Sequence, residues 1–417
     1  MEILIIMFLG LLFSFLLGEG LSKFNLPKII APIIIGSIFA LEPFSSFIFA
    51  NVDMDFFELI KDIALVFLLF FVGLKINIKH FKNLSRKSLL LGLFASIVPL
   101  IVGFFSVIIV SYLFDFNAII GSTNIILIAF LVGVIFSVTA ECIIIEVLEE
   151  LGLIESSMGQ TVLGAGIVDD VISIFLITII TTLFADNSTT LEIGYSLLFK
   201  LFQMFVFSTI LFLVATSVLP RIIKLIDKKQ SKTGLFSISL MISFFLAMVT
   251  QFFELGGLVL GAILGGVIVN YVLAKDNLGL KTQSKTITEM IEIITFGFFA
   301  PFFYIWIGLN VDLTIFIKHP YYILFFFLFL SFSKLFGSMV GNKLGGGTLK
   351  EGFVMGFAMN SKAGLEIMIL SLALTSGVIS SDLFSILIGV TFLATLISPI
   401  IFERLIKDYY SKKTSLK

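Results

Sequence analysis

The chain has 417 residues, of which 59% are hydrophobic, 50 are Phe and 13% are charged, and no water-soluble globular domain has interior enough to hide such a composition. The formal net charge of −1 says little by itself, but the basic residues sit in short segments between apolar stretches, which excludes a nucleic-acid partner. One cysteine, Cys142, excludes an internal disulfide, and His80 and His319 are too far apart and too poorly accompanied to form a metal-binding spacing.

Roughly 20 apolar residues cross a bilayer as a helix, the default spanning element because it satisfies its own backbone. The expected fold class is therefore an all-α membrane protein of about thirteen spans. In chain order the apolar stretches cover 2–18, 27–41, 58–75, 88–114, 122–146, 157–184, 192–220, 234–253, 256–273, 287–308, 320–343, 351–377 and 383–406. The first has no basic leader region and no small-residue cleavage signature, so it is expected to be a retained helix.

Lys and Arg accumulate on the cytoplasmic side of a membrane protein. Alternate loops here hold 22 basic residues on one side and two, Lys61 and Lys318, on the other; Lys200, Lys334 and Lys362 fall within spans. The expected topology is N-terminus outside, C-terminus cytoplasmic, in the cell membrane. The third span ends FFVGLKINIKHF (70–81) and the tenth IWIGLNVDLTIF (305–316), aligning Gly73 with Gly308. Spans seven apart run in opposite directions, so this echo suggests an inverted-topology repeat.

Charges inside a membrane are costly and point to function. The fifth span contains GVIFSVTAECIIIEVLEELG (133–152), with Ser137, Thr139 and Glu141 in its interior. Glu146 lies near an acidic loop, and Lys200 near enough a span end to snorkel. The sixth span, GAGIVDDVISIFLITII (164–180), places Asp169 and Asp170 side by side. Adjacent helix residues point about 100° apart, so the pair faces different groups. Two close carboxylates in a low dielectric repel, and one holds a proton near neutral pH unless a cation intervenes. Gly164 and Gly166, about one turn earlier, allow another element to approach closely.

The eleventh span carries Lys334, with Gly337 and Gly341 on the same face. A lysine there requires a partner, either Asp169 or Asp170. The twelfth contains GFAMNSKAGLEIMIL (356–370), with Asn360, Ser361, Lys362 and Glu366. Polar clusters in mid-span suit helices broken at the membrane centre, and the fifth and twelfth spans, again seven apart, are expected to be crossing discontinuous helices whose end charges are neutralised by Glu141 and Lys362.

Taken together, the VDD of the sixth span, GVIFSVTAE…VLEELG, the SKLFG lysine and the KAGLE of the twelfth resemble the monovalent cation/proton antiporter superfamily, on its branch of prokaryotic sodium/proton antiporters, over residues 5 to 406. The resemblance implies that Asp170 is the Na⁺ ligand, with Asp169 and Thr139 beside it, and that Asp169 pairs with Lys334. It implies a homodimer in which a transport core (about 88–184 and 320–406) moves against a dimerisation part (about 1–75 and 234–308), joined by a linker helix (192–220). One departure is that Ala140 and Glu141 follow Thr139 where the family often has Asp or Ser, so cation preference stays open.

The implied function is exchange of Na⁺ or Li⁺ for H⁺ by alternating access, electrogenic if two protons pass per cation, with pH homeostasis as its physiological setting. No cofactor, nucleotide or enzymatic activity is expected: there is no Walker-type motif, and the nucleotide-binding C-terminal domain of potassium-efflux relatives is not expected. The alternatives are a K⁺/H⁺ antiporter or a sodium-coupled solute symporter of related fold. An intramembrane aspartyl protease is excluded because its GxGD spacing is missing, and a passive channel would carry currents far above transporter turnover.

Overall fold

The computed structural model describes residues 2–23, 27–42, 44–45, 54–75, 84–114, 116, 119, 124–185, seven positions between 203 and 217, 232–252, 257–273, 281–362 and 364–414. Its elements are helical. They are α1 (Glu2–Ser22), α2 (Ile30–Phe39), α3 (Met54–Lys75), α4 (Arg86–Leu113), α5 (Ile125–Ser137), α6 (Glu141–Glu150), α7 (Ser157–Ala185), α8 (Lys232–Phe252) and α9 (Gly257–Leu273). Then follow α10 (Lys281–Ile294), which runs through a π turn at Thr295–Phe299 into α11 (Ala300–Leu309), and α12 (Pro320–Leu344), α13 (Leu349–Met359), α14 (Leu365–Thr375) and α15 (Ser381–Thr414). Twelve of the thirteen expected spans coincide with these helices, their ends differing by at most eight residues. The expected linker helix, with Lys200, lies outside the described residues except at the seven isolated positions, and the side chains of Glu141 and Glu146 also lie outside them.

Among the described residues, seven helices are long and apolar enough to cross a membrane, and four shorter apolar ones accompany them. Polar side chains cap the starts of three helices. Ser85 accepts from the Ser88 amide at 3.0 Å, opening α4, and Asn124 accepts from Ile126 at 3.0 Å, opening α5. Thr348 and Glu351 form a reciprocal capping box at α13.

The chain divides into two compact units. One comprises residues 1–15, 32–82 and 177–309; the other 16–31, 83–176 and 310–417. In the first, two helix crossings are made at glycine. A methyl group at Gly36 would stand 2.1 Å from the Ile305 carbonyl oxygen, and one at Gly308 2.1 Å from that of Ile33. A methyl group at Gly73 would stand 2.1 Å from the Ile263 oxygen, and one at Gly266 2.2 Å from that of Phe70. Such separations admit only glycine, because the backbones themselves are in contact. The crossings join the second span to the tenth and the ninth to the third, so replacing each span by the one seven away turns one crossing into the other. An inverted repeat generates this pairing, and the sequence echo of Gly73 and Gly308 is one half of it. Lys61, counted with the loops in the sequence, instead lies within α3 and is buried, its ammonium 4.7 Å above the Trp306 ring and 3.0 Å from Asp62.

In the second unit α4 is packed through glycines on three neighbours. A Cβ at Gly92 would meet Ala165 O of α7 at 2.5 Å, and one at Gly103 the Gly133 Cα of α5 at 2.8 Å. Gly337 and Gly341 of α12 face Phe94 O and Leu90 O, each at 2.4 Å from the added Cβ. The Lys334 face of α12 is thus the face that lies on α4, and Gly164 meets Ser88 of α4 in the same way, at 2.7 Å.

Candidate functional site: the crossing of two broken helices

The fifth span is interrupted between α5 and α6 at Val138–Ala140, and the twelfth between α13 and α14 at Asn360–Gly364. The interruptions cross and bond to each other. The Ala140 amide donates to Ser361 O at 2.8 Å, and the Thr139 hydroxyl to Met359 O at 3.0 Å. Lys362 is fully buried and its ammonium donates to Ile135 O at 2.8 Å, to Phe136 O at 3.1 Å and to Val138 O. These are the carbonyls that a helix C-terminus leaves without intrahelical partners, and the positive charge sits on the negative end of the α5 dipole. The half-helix end that Lys362 reaches is that of the opposite broken helix. Glu366 is buried in the first turn of α14, where a carboxylate suits the positive helix end, and it accepts from the Gly364 amide at 3.2 Å. Asn360 donates to Ser331 of α12 at 3.1 Å and Ser398 of α15 at 2.9 Å, while the Thr395 hydroxyl of α15 donates to Lys362 O. Surrounding helices thereby absorb polar groups that the break sets free.

Asp169 of α7 is fully buried beside this crossing. Its Oδ2 accepts from the Thr139 amide at 3.0 Å, and its Oδ1 from the Ser96 hydroxyl of α4 at 2.6 Å. The Lys334 ammonium stands 3.7 Å from Oδ1 and donates to Thr139 Oγ1 at 2.7 Å and to Ser137 O. Of the two partners left open for Lys334 by its position alone, the one found here is Asp169. Asp170, the next residue of the same helix, is half-buried. Ser137, Thr139, Asn360, Ser361, Lys362 and Glu366 therefore converge with Asp169 and Lys334, while the Glu141 side chain lies outside the described residues. Ser96 was not legible as a site residue, since one hydroxyl in a long apolar span resembles any serine bonded to its own helix. Its only sequence signal is Gly92, one turn earlier, which allows α4 to reach α7.

The chain is similar to known proteins over nearly its whole length. The chain is 25% identical over 397 residues to a Na(+)/H(+) antiporter of Enterococcus hirae, covering 95% of this chain and 96% of that one. It is 26% identical over 402 residues to K(+)/H(+) antiporter 1 of Saccharomyces cerevisiae, of whose longer chain it spans 44%. The fold is that of the sodium proton antiporter MjNhaP1 from Methanocaldococcus jannaschii, solved at pH 8, with a TM-score of 0.68 at 17% identity and 97% of both chains covered. Residues 4–407 match the family described as sodium/hydrogen exchanger, transmembrane, so this multi-pass membrane protein belongs to the sodium/hydrogen exchanger family.

Proposed function

We propose that the protein exchanges Na⁺ or Li⁺ for H⁺ across the cell membrane by alternating access, with Asp170 as the cation ligand, Asp169 and Thr139 beside it, and Lys334 as the group that gives way. The observation that carries this reading is the fully buried carboxylate of Asp169, the sequence neighbour of Asp170, at the crossing of two broken helices, held by one hydroxyl and one amide, with an ammonium 3.7 Å away. Such a carboxylate takes a proton or a cation but not both at once, so one gradient drives the other without a covalent step. Two protons per cation would move one net charge, and the membrane potential would then contribute roughly 2.3 kcal/mol per 100 mV to each cycle.

The unit containing Asp169 acts as the transport core, and the unit built on the two glycine crossings as the dimerisation part of a homodimer, with the N-terminus outside and the C-terminus in the cytoplasm. K⁺/H⁺ exchange is the second reading, favoured by the similarity to the yeast K(+)/H(+) antiporter. Proteoliposomes with a trapped pH dye separate the two. Addition of Na⁺ or Li⁺ should release protons, and Asp170→Asn, folded and reconstituted to the same level, should abolish the release. A response to K⁺ alone would select the second reading, and undiminished exchange by the Asp170→Asn protein would remove Asp170 from the site.

A further inference from the structure

We propose that Ser96 is a positioning residue that holds Asp169 off Lys334, and so sets the Na⁺ concentration needed to open that ion pair. The inference rests on the reading of Asp169 and Lys334 given above, and adds to it a residue of a third helix.

A charge-assisted hydrogen bond between an ammonium and a carboxylate is normally about 2.7–2.9 Å long. The Lys334–Asp169 separation is 3.7 Å, although both side chains are fully buried and nothing screens them. The shortest contact of the carboxylate is instead with Ser96, at 2.6 Å on the same Oδ1 that faces Lys334. Its other oxygen is held by the Thr139 amide at 3.0 Å. Asp169 is thus drawn toward α4 and toward the break, while the ammonium is held back by Ser137 O and Thr139 Oγ1. Lys362, the other buried cation of the crossing, donates to Ile135 O, Phe136 O and Val138 O. Among the described residues, Lys334 is the only cation paired with Asp169.

The placement of Ser96 is built into the helix packing. Gly92 lies one turn before Ser96, and a Cβ there would stand 2.5 Å from Ala165 O and 2.7 Å from Val168 Cβ of α7. The absence of a side chain at 92 brings α4 close enough for a short hydroxyl to reach Asp169. Ser96 also has a second acceptor, Gly92 O at 2.8 Å, on its own helix. A hydroxyl has one proton to give. When Asp169 turns to an arriving cation, that proton moves to Gly92 O and no buried donor is orphaned. Ser96 therefore favours the loosened pair and does not obstruct its opening. An alanine at 96 removes the competing donor, so Lys334 closes on Oδ1 and a cation must break a tighter contact.

The test is the Na⁺ dependence of proton release from proteoliposomes at one fixed pH, for the wild type, Ser96→Ala and Ser96→Thr, with melting followed in parallel. Hydrogen bonds to ionised groups lie in a range that predicts a rise in half-saturating Na⁺ of about ten- to a hundredfold in Ser96→Ala. Maximal rate should change less than half-saturation, melting should not fall, and Ser96→Thr, which keeps the hydroxyl, should return half-saturation toward the wild type. A Lys334→Gln background isolates the cause. There Ser96→Ala should no longer weaken Na⁺ dependence, read by exchange or, if turnover is lost, by the rise in melting temperature that NaCl gives over choline chloride. Wild-type half-saturation in Ser96→Ala, or an equal weakening in the Lys334→Gln background, overturns the proposal. The latter result would mean that Ser96 touches the cation directly. Failure of the underlying site reading would look different, since exchange would then survive Asp170→Asn whatever residue stands at 96.

Discussion

Replacing Lys362 by methionine tests whether a buried lysine can be the cap of a helix in another span. The ammonium donates to three carbonyls at the end of α5, at 2.8 Å, 3.1 Å and in a third close contact with Val138 O. Methionine keeps most of the volume and none of the donors. Hydrogen bonds to charged groups contribute about 1.5–3 kcal/mol each, and an orphaned buried carbonyl forfeits about 1–3 kcal/mol. The loss is therefore on the order of 4–9 kcal/mol before any relief. Against it stands the desolvation of the ammonium, several kcal/mol that the variant no longer bears. The carbonyl loss wins, because each carbonyl belongs to a break that has no helical partner to offer and is closed to water. A net destabilisation of about 2–4 kcal/mol follows, a fall of about 5–15 °C in melting temperature for a unit of this size. Heating the detergent-solubilised protein and following its monodisperse fraction reads this directly. Melting of Lys362→Met within about 2 °C of the wild type would refute the capping role, and Lys362→Arg should lie between the two.

Lys334→Gln should also melt earlier, but any exchange it retains should no longer respond to an imposed membrane potential; potential-driven exchange persisting in this variant would make Lys334 structural only. Gly73→Val should disrupt the crossing with α9, where a Cβ would stand 2.1 Å from Ile263 O, and cost about 3 kcal/mol or more by forced separation of the helices; a normal melt would mean that the backbones are further apart. Tyr409→Phe removes a 2.9 Å bond to Glu351 and should cost about 1 kcal/mol. Because the phenol, pushed up to about 12 by burial and by Glu351 beside it, stays protonated at ordinary pH, that loss should be equal at neutral and mildly alkaline pH, and a loss that vanishes on raising the pH within that range would contradict the assignment. Cysteines placed at the two termini should react with an impermeant reagent from opposite sides of the membrane; labelling from the same side would break the odd span count.

Much of this was legible in the sequence because a bilayer makes the grammar severe. A run of 20 apolar residues has one outcome there, and a charge within it needs a reason. Asp169, Lys334 and Lys362 stood out on that ground alone, and the polar clusters at 137–141 and 360–366 marked the two breaks. What stayed hidden was pairing in three dimensions. Gly36 and Gly266 look like any glycine in an apolar span until their partners, Gly308 and Gly73, are seen facing them. The π turn at Thr295–Phe299 has no composition of its own. Ser96 was invisible for a further reason: its bond to Gly92 O is what any serine in an apolar helix makes, and only the packing of α4 on α7 adds a carboxylate to its reach.

The two buried lysines of the crossing carry the same group and are nevertheless unlike. Lys362 has three backbone carbonyls in reach, as many acceptors as an ammonium has protons, so its charge is fixed on the end of α5. Lys334 has Ser137 O and Thr139 Oγ1, and its remaining proton faces a carboxylate at 3.7 Å that is itself held by Ser96 and Thr139. A lysine saturated by carbonyls has nothing to gain by moving, whereas one with an unfinished third contact responds to whatever happens to that carboxylate. Thr139 joins the two sides of this arrangement, because its amide holds Asp169 while its hydroxyl accepts from Lys334 and donates to Met359 O of the other broken helix. If Asp169 is the site proposed above, a cation or proton that changed its charge would act on the end of α5, on α12 and on α13 through one residue, Thr139.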